Sequence, residues 1–237
     1  MKLFGQITGC LFALVIAAGC AQTTVTGRRS NLGTEKIARP AHIYVYPFAA
    51  TPADIAPWST AASRYAQTSK PQTAEEIAVG RKLGVLVAKE LVTEIQKMGL
   101  PALPAGNQTS PEVKDLLIIG YFESVDQGSA AKRMALGFGS GAAELRTAVE
   151  GYQMTNDGPR LLGSGELRSG GGKTPGVAAP LVLFAATSNP LGLIIGGTAN
   201  VAGEVTGRNT IEGTAERTAK EIADQLRVRF KEQGWIR

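Results

Sequence analysis

Three stretches of the sequence hold residue types that could do chemistry. Ser169-Gly170-Gly171-Gly172-Lys173-Thr174 sets glycines, a lysine and a hydroxyl in the order of a phosphate-binding loop. That loop needs a further glycine five positions before the one preceding the lysine. It also needs a helix opening directly after it, so that backbone N–H groups point at the phosphate. Leu167 stands at the first place and Pro175-Gly176 at the second. The stretch therefore reads as a glycine-rich strand exit, and no nucleotide cofactor is expected. Gly137-Phe138-Gly139-Ser140-Gly141 is half of a dinucleotide fingerprint with no βαβ unit around it. It reads as a close-packed or flexible loop, and Leu136 and Phe138 are its candidate contact residues for a membrane or partner, because exposed apolar loops mark contact sites. His42 is the only histidine, and Gly163-Ser164-Gly165 falls two residues short of a nucleophile elbow. A hydrolytic triad needs nucleophile, base and orienter within mutual reach, and the sequence offers no such set. One His and two Cys cannot build a usual zinc shell. A non-enzymatic protein with no cofactor and no metal is expected.

Composition bounds the remaining classes. The chain has 237 residues, 43 % of them hydrophobic and 19 % charged, which suits a packed core rather than a disordered chain. The net charge of +5 is mild, and no basic block is interleaved with aromatics, so no nucleic-acid partner is expected.

The first twenty residues set the compartment. Met1-Lys2 is a positive start, Leu11-Phe12-Ala13-Leu14-Val15-Ile16 is an apolar run, and Ala17-Ala18-Gly19-Cys20 ends it with small residues. That is the pattern of a secretory signal, too short for a lasting membrane span. Small side chains directly before Cys20 resemble the lipobox of bacterial lipoproteins, with Ala17 where that family usually has Leu. The resemblance implies cleavage after residue 19 and diacylglycerol on the Cys20 thiol. Ala21-Gln22 lacks the Asp of the family's inner-membrane sorting rule, which implies the outer membrane, facing the periplasm. The alternative is an ordinary secreted protein cut near Gly19. With Cys10 lost in the signal and Cys20 acylated, the mature chain would carry no free thiol, which suits an oxidising compartment.

The elements behind these stretches follow. Residues 1–19 are the signal peptide and 20–39, polar and rich in Thr, Gly, Arg and Ser, read as a lipidated tether. Residues 40–237 read as one α+β domain. His42 to Phe48 alternates as a strand, and 50–71, with its prolines, reads as a long loop. Thr73-Ala74-Glu75-Glu76 is a capping box, followed by apolar residues at helical spacing from Ile77 to Met98, with Gly99 and Pro101 as the stop. Leu116 to Phe122 is a buried strand, and a short strand fits near Ala102-Leu103. Residues 144–154 and 160–168 make a hairpin about Asn156-Asp157-Gly158. Asn209-Thr210 caps a last helix whose buried face runs from Ile211 through Ile222 and Leu226 to Val228–Phe230, with Gly234 ending it. The expected architecture is a small mixed sheet with two long helices packed on it, plus an uncharged Gly/Ala-rich insertion over 174–207.

Val45-Tyr46-Pro47-Phe48, the helix through Val87-Ala88-Lys89-Glu90-Leu91 and the strand Asp115 to Gly120 are similar to the curli-secretion-channel and TolB amino-terminal group of periplasmic domains. The whole mature chain resembles the bacterial lipoproteins grouped as domain of unknown function 4410. The first resemblance implies envelope scaffolding, activation of a partner, or export. The second implies no substrate.

Residues 174–203 hold no charge, and Asn189-Pro190 divides them into pieces half the ~20 residues of a membrane helix. Core, bilayer-dipping hairpin, oligomer contact and partner-ordered loop remain open for this stretch. Leu191, Leu193, Ile194 and Ile195 are its candidate contact residues. The expected role is a lipid-anchored accessory or scaffold of an envelope assembly with an unidentified protein partner. The alternative is a homo-oligomeric component of an export or channel complex.

Overall fold

The computed structural model describes residues 23–62, 65, 71–106, 109–126, 143–170 and 211–237. Six strands form one mixed sheet: β1 (Thr23–Ser30), β2 (Ile43–Val45), β3 (Ala102–Pro104), β4 (Leu116–Asp126), β5 (Glu144–Thr155) and β6 (Gly158–Gly170), in the order β1-β6-β5-β4-β2-β3. β2 lies parallel to β3 and β4, while β4, β5, β6 and β1 are antiparallel neighbours. Two helices, α1 (Ala74–Lys97) and α2 (Ile211–Glu232), pack against each other and against one face. The expected α+β architecture is the observed one.

Local chemistry explains the elements. Thr73 accepts the Glu76 N–H at 3.2 Å while the Glu76 carboxylate accepts the Thr73 N–H at 2.7 Å, so the capping box closes α1. Gly99, at φ 79°, ends it. Asn156-Asp157 is a two-residue turn, with Gly158 at φ 105° taking the left-handed conformation the hairpin needs. The buried stripe of α1 is wider than the spacing from Ile77 suggested, because Val79 and Leu83 also face the core. On α2 the expected face is corrected at one place: Phe230 is buried, but Val228 is 46 % exposed. Asn209-Thr210 lies outside the described residues.

The tether is also corrected. Thr23–Ser30 is an edge strand paired along β6, and Val25 packs against the core. The next residues are held as well: Ile37 N–H donates to the Gln233 side chain at 2.9 Å, and the Trp235 indole donates to Ile37 O at 3.3 Å. An edge strand turns one side of its backbone and alternate side chains to water, so it can be as polar as a linker. The loop expected over 50–71 holds a 3₁₀ turn, Pro52–Asp54, and its described part covers the sheet face opposite the helices.

After β2 the chain passes between α1 and β4, and two glycines make room. Phe48 N–H donates to Gly84 O at 3.2 Å, and Ala49 N–H to Gly120 O at 2.8 Å. A Cβ on Gly84 would stand 2.0 Å from Phe48 O, and one on Gly120 would stand 2.2 Å from the Phe48 ring.

Candidate functional site

Cys20, Leu136, Phe138, Leu191, Leu193, Ile194 and Ile195 lie outside the described residues, as does the 174–207 insertion. Where their segments leave the fold is nonetheless defined. Thr23, the first described residue, pairs with Ser169; Asp126 pairs with Glu144, and Glu144 with Gly170. The flanks of 1–22, 127–142 and 171–210 thus form one row across β1, β6, β5 and β4. α2 starts at this same end, since the Thr218 hydroxyl, two turns into it, donates to Ser169 Oγ at 2.6 Å. The described residues that flank the three segments holding every contact residue nominated from sequence share one end of the sheet.

Ion pairs brace that end. Arg168 donates to Glu144 at 2.6 Å and Arg146 at 3.1 Å. Partial burial pulls the Glu144 carboxyl upward, but the two guanidiniums outweigh it and hold the group below its ordinary value. Gly170, at φ 117°, ends β6 where a Cβ would stand 2.1 Å from Ala143 O. The glycine run after Ser169 therefore begins, in its described part, as a strand exit.

His42 meets a carboxylate rather than a nucleophile. Its backbone N–H donates to Asp115 Oδ1 at 3.0 Å, and the ring Nδ1 lies 3.3 Å from the same oxygen. Glu112 N–H donates to Asp115 Oδ2 at 2.9 Å. Asp115 is buried, and both of its oxygens hold backbone at the starts of β2 and β4. No Ser or Thr hydroxyl is bonded to the imidazole among the described residues.

Sequence reasoning missed a second buried carboxylate. Glu150, on β5, accepts the hydroxyls of Ser59 at 2.6 Å, Tyr152 at 2.9 Å and Thr60. Tyr152 in turn accepts Thr60 N–H at 3.0 Å, and the Trp58 ring meets it edge-on at 4.9 Å. Burial raises the Tyr152 phenol above its ordinary value, so it stays a donor. Three donors on one carboxylate make a clasp that closes the covering loop onto the sheet. Ser59 and Thr60 lie about ninety residues from Glu150 in the chain, so no local spacing could reveal the clasp. Among the described residues no group of three or more His, Cys, Asp or Glu could hold a metal ion, and no helix is long and apolar enough to cross a membrane.

Two cavities complete the picture. One, of about 420 Å³, opens beside the Phe48 crossing, and the Asp54–Arg81 pair, 2.8 Å apart, stands at it. Its charges are already matched. The other, of about 180 Å³, lies between the carboxyl-terminal half of α2 and the sheet. Ile222, Leu226 and Phe230 roof it, Ile118 and Val149 line its inner wall, and Gly151 and Gly165 lie in its floor.

The fold and these features define a class: a mixed-sheet α+β domain with helices on one face and a clasped loop on the other. The family described as Domain of unknown function (DUF4410) matches residues 43–188, and the chain belongs to it. No curated protein matches the chain. Among solved structures it is similar to the PelC dodecamer of Paraburkholderia phytofirmans, at 12 % identity over 65 % of this chain and 86 % of that one, with a TM-score of 0.38. A point variant of the same dodecamer gives 12 %, 65 %, 85 % and 0.37. Similarity at this level says nothing of what this chain does.

Proposed function

We propose that the chain is an outer-membrane lipoprotein, anchored through Cys20 and facing the periplasm, with a non-enzymatic accessory or scaffold role in an envelope assembly. One observation carries the reading. The segment with the lipobox-like Cys20, the segment with Leu136 and Phe138, and the uncharged segment with Leu191 to Ile195 all leave the sheet at the same end. A domain built this way would turn one end to the membrane and keep the other free. The two buried carboxylates support the non-enzymatic part, because Asp115 and Glu150 are engaged in holding backbone and loop rather than in presenting a base.

Replacing Cys20 by Ser tests the anchor. The expected result is loss of labelling by radioactive palmitate and release from, or signal retention in, the membrane fraction with a changed mass. Unchanged mass and unchanged outer-membrane fractionation would defeat the reading.

A second reading, the homo-oligomeric component of an export or channel complex, is favoured by the outer side of β1. Its eight residues pair only with β6 among the described strands, which leaves a backbone edge for a second copy. Crosslinking in intact cells tests it: a ladder of self-crosslinked species supports the assembly, and a lone monomer refutes it.

A further inference from the structure

We propose that the cavity under α2 binds the short hydrocarbon chain of a single-chain anionic amphiphile, with the carboxylate or equivalent head held at an arginine-rich mouth. This goes beyond the lipoprotein role and does not depend on it.

The floor is the first observation. A glycine inside a strand weakens it and marks a bulge or the close approach of another backbone or a ligand. Gly163 has such a reason, since a Cβ there would stand 2.7 Å from Arg29 O. Gly151 stands at the β5–β6 register shift, yet a Cβ on it would meet nothing within 4 Å, and Gly165 has no such reason, a Cβ there meeting nothing nearer than 3.8 Å. Larger side chains would fit and would fill the space. The fold therefore keeps open a cavity that its own packing does not require.

The cavity has the character of a hydrocarbon site. It measures about 180 Å³ and its walls are mainly apolar. An apolar void of about 150 Å³ is large enough to admit benzene and stays dry when empty. The mouth supplies the sign of the head group. Arg28, Arg29 and Arg229 border the cavity against one acid, Glu232, which is already paired with Arg229 at 2.7 Å. Arg28 donates to the neutral Gln225 amide, so its charge has no counter-ion in that bond. A carboxylate or phosphate seated there would receive a charge-assisted bond.

The cavity extends along β1 and β6 from Val25 and Leu167 to Ser30 and Gly163.

The test uses a dialysed lysate of cells making the full chain, freed of ATP and coenzyme A, so that no added fatty acid is esterified and no membrane location is assumed. The probe is octanoic acid carrying a diazirine and an alkyne, a chain short enough for the cavity, compared with the matching octanol. The expected result is photolabel on peptides from 25–37 and 222–235, competed away by excess sodium octanoate. Gly151→Val with Gly165→Val should abolish that label while trypsin resistance of the chain persists. Arg28→Gln, a surface change that leaves the core alone, should lower labelling by the acid several-fold and leave the alcohol unchanged. Label spread along the chain, label that octanoate does not displace, or equal labelling of the cavity peptides in the filled variant would each overturn the proposal. So would acid and alcohol labelling that respond alike to Arg28→Gln.

Discussion

Gly84→Ala sets helix propensity against packing, and the two predict opposite signs. In an exposed helix the change would stabilise the protein by about 1 kcal/mol, because alanine loses less backbone freedom on folding. Here the new Cβ would stand 2.0 Å from Phe48 O, a backbone atom, where ordinary contact begins at 3.4 Å. The Phe48–Ala50 crossing must therefore retreat by about 1.4 Å. That movement would break the 3.2 Å bond from Phe48 N–H to Gly84 O, which contributes about 1 kcal/mol. It would also overpack the core, at about 1–3 kcal/mol. Set against the propensity gain, the net is a destabilisation of about 2 kcal/mol. With a urea slope of about 2 kcal/mol per molar, the midpoint should fall by about 1 M. Pulse proteolysis across a urea series measures this on the full chain. An unchanged or raised midpoint would refute the close approach of Phe48 to α1, and with it the account of how the chain passes from β2 over β4.

Two further outcomes follow from the carboxylates. Glu150→Ala should destabilise the chain by about 3 kcal/mol, since Ser59, Thr60 and Tyr152 lose a charged acceptor; Trp58 emission should shift to the red, Glu150→Gln should recover part of the loss, and an unchanged urea midpoint in the alanine variant would remove the clasp. For Glu144 the folded pKa is depressed by Arg168 and Arg146 against the opposing effect of burial, so its contribution is present above the ordinary carboxylate value and is lost as pH falls through the folded one. Stability between neutral and acid pH should drop less steeply in Glu144→Gln than in the parent, read as urea midpoints; parallel curves would contradict the ion pairing.

Much of the fold was legible because it rests on short-range patterns. The capping box at Thr73, the apolar run from Leu116 and the turn at Asn156-Asp157 each fix an element with residues a few positions apart, and each element stands where it was expected. β1 was not legible, because Thr23 to Ser30 has one core-facing anchor, Val25, and otherwise the composition of a linker. Only its pairing with β6, about 140 residues away, makes it a strand. The Glu150 clasp and the arginine-rich cavity were hidden for the same reason: each is assembled from distant segments. The run of small residues Gly163-Ser164-Gly165 did carry a signal, but it belongs to a cavity floor rather than to a nucleophile elbow.

The early start of β1 fixes how far the body can stray from residue 20. Had 20–39 been a free linker, twenty extended residues would have given a reach of about 65 Å, enough to roam widely in a fluid compartment. With Thr23 already in the sheet, three residues remain, and their reach is about 10 Å. A lipid at residue 20 would then hold the domain like a tile on a wall, with the Thr23–Gly170 edge against it. Diffusion along the surface would remain free, but tumbling and crossing to an opposite membrane would not. Any partner beyond that reach must come to the protein.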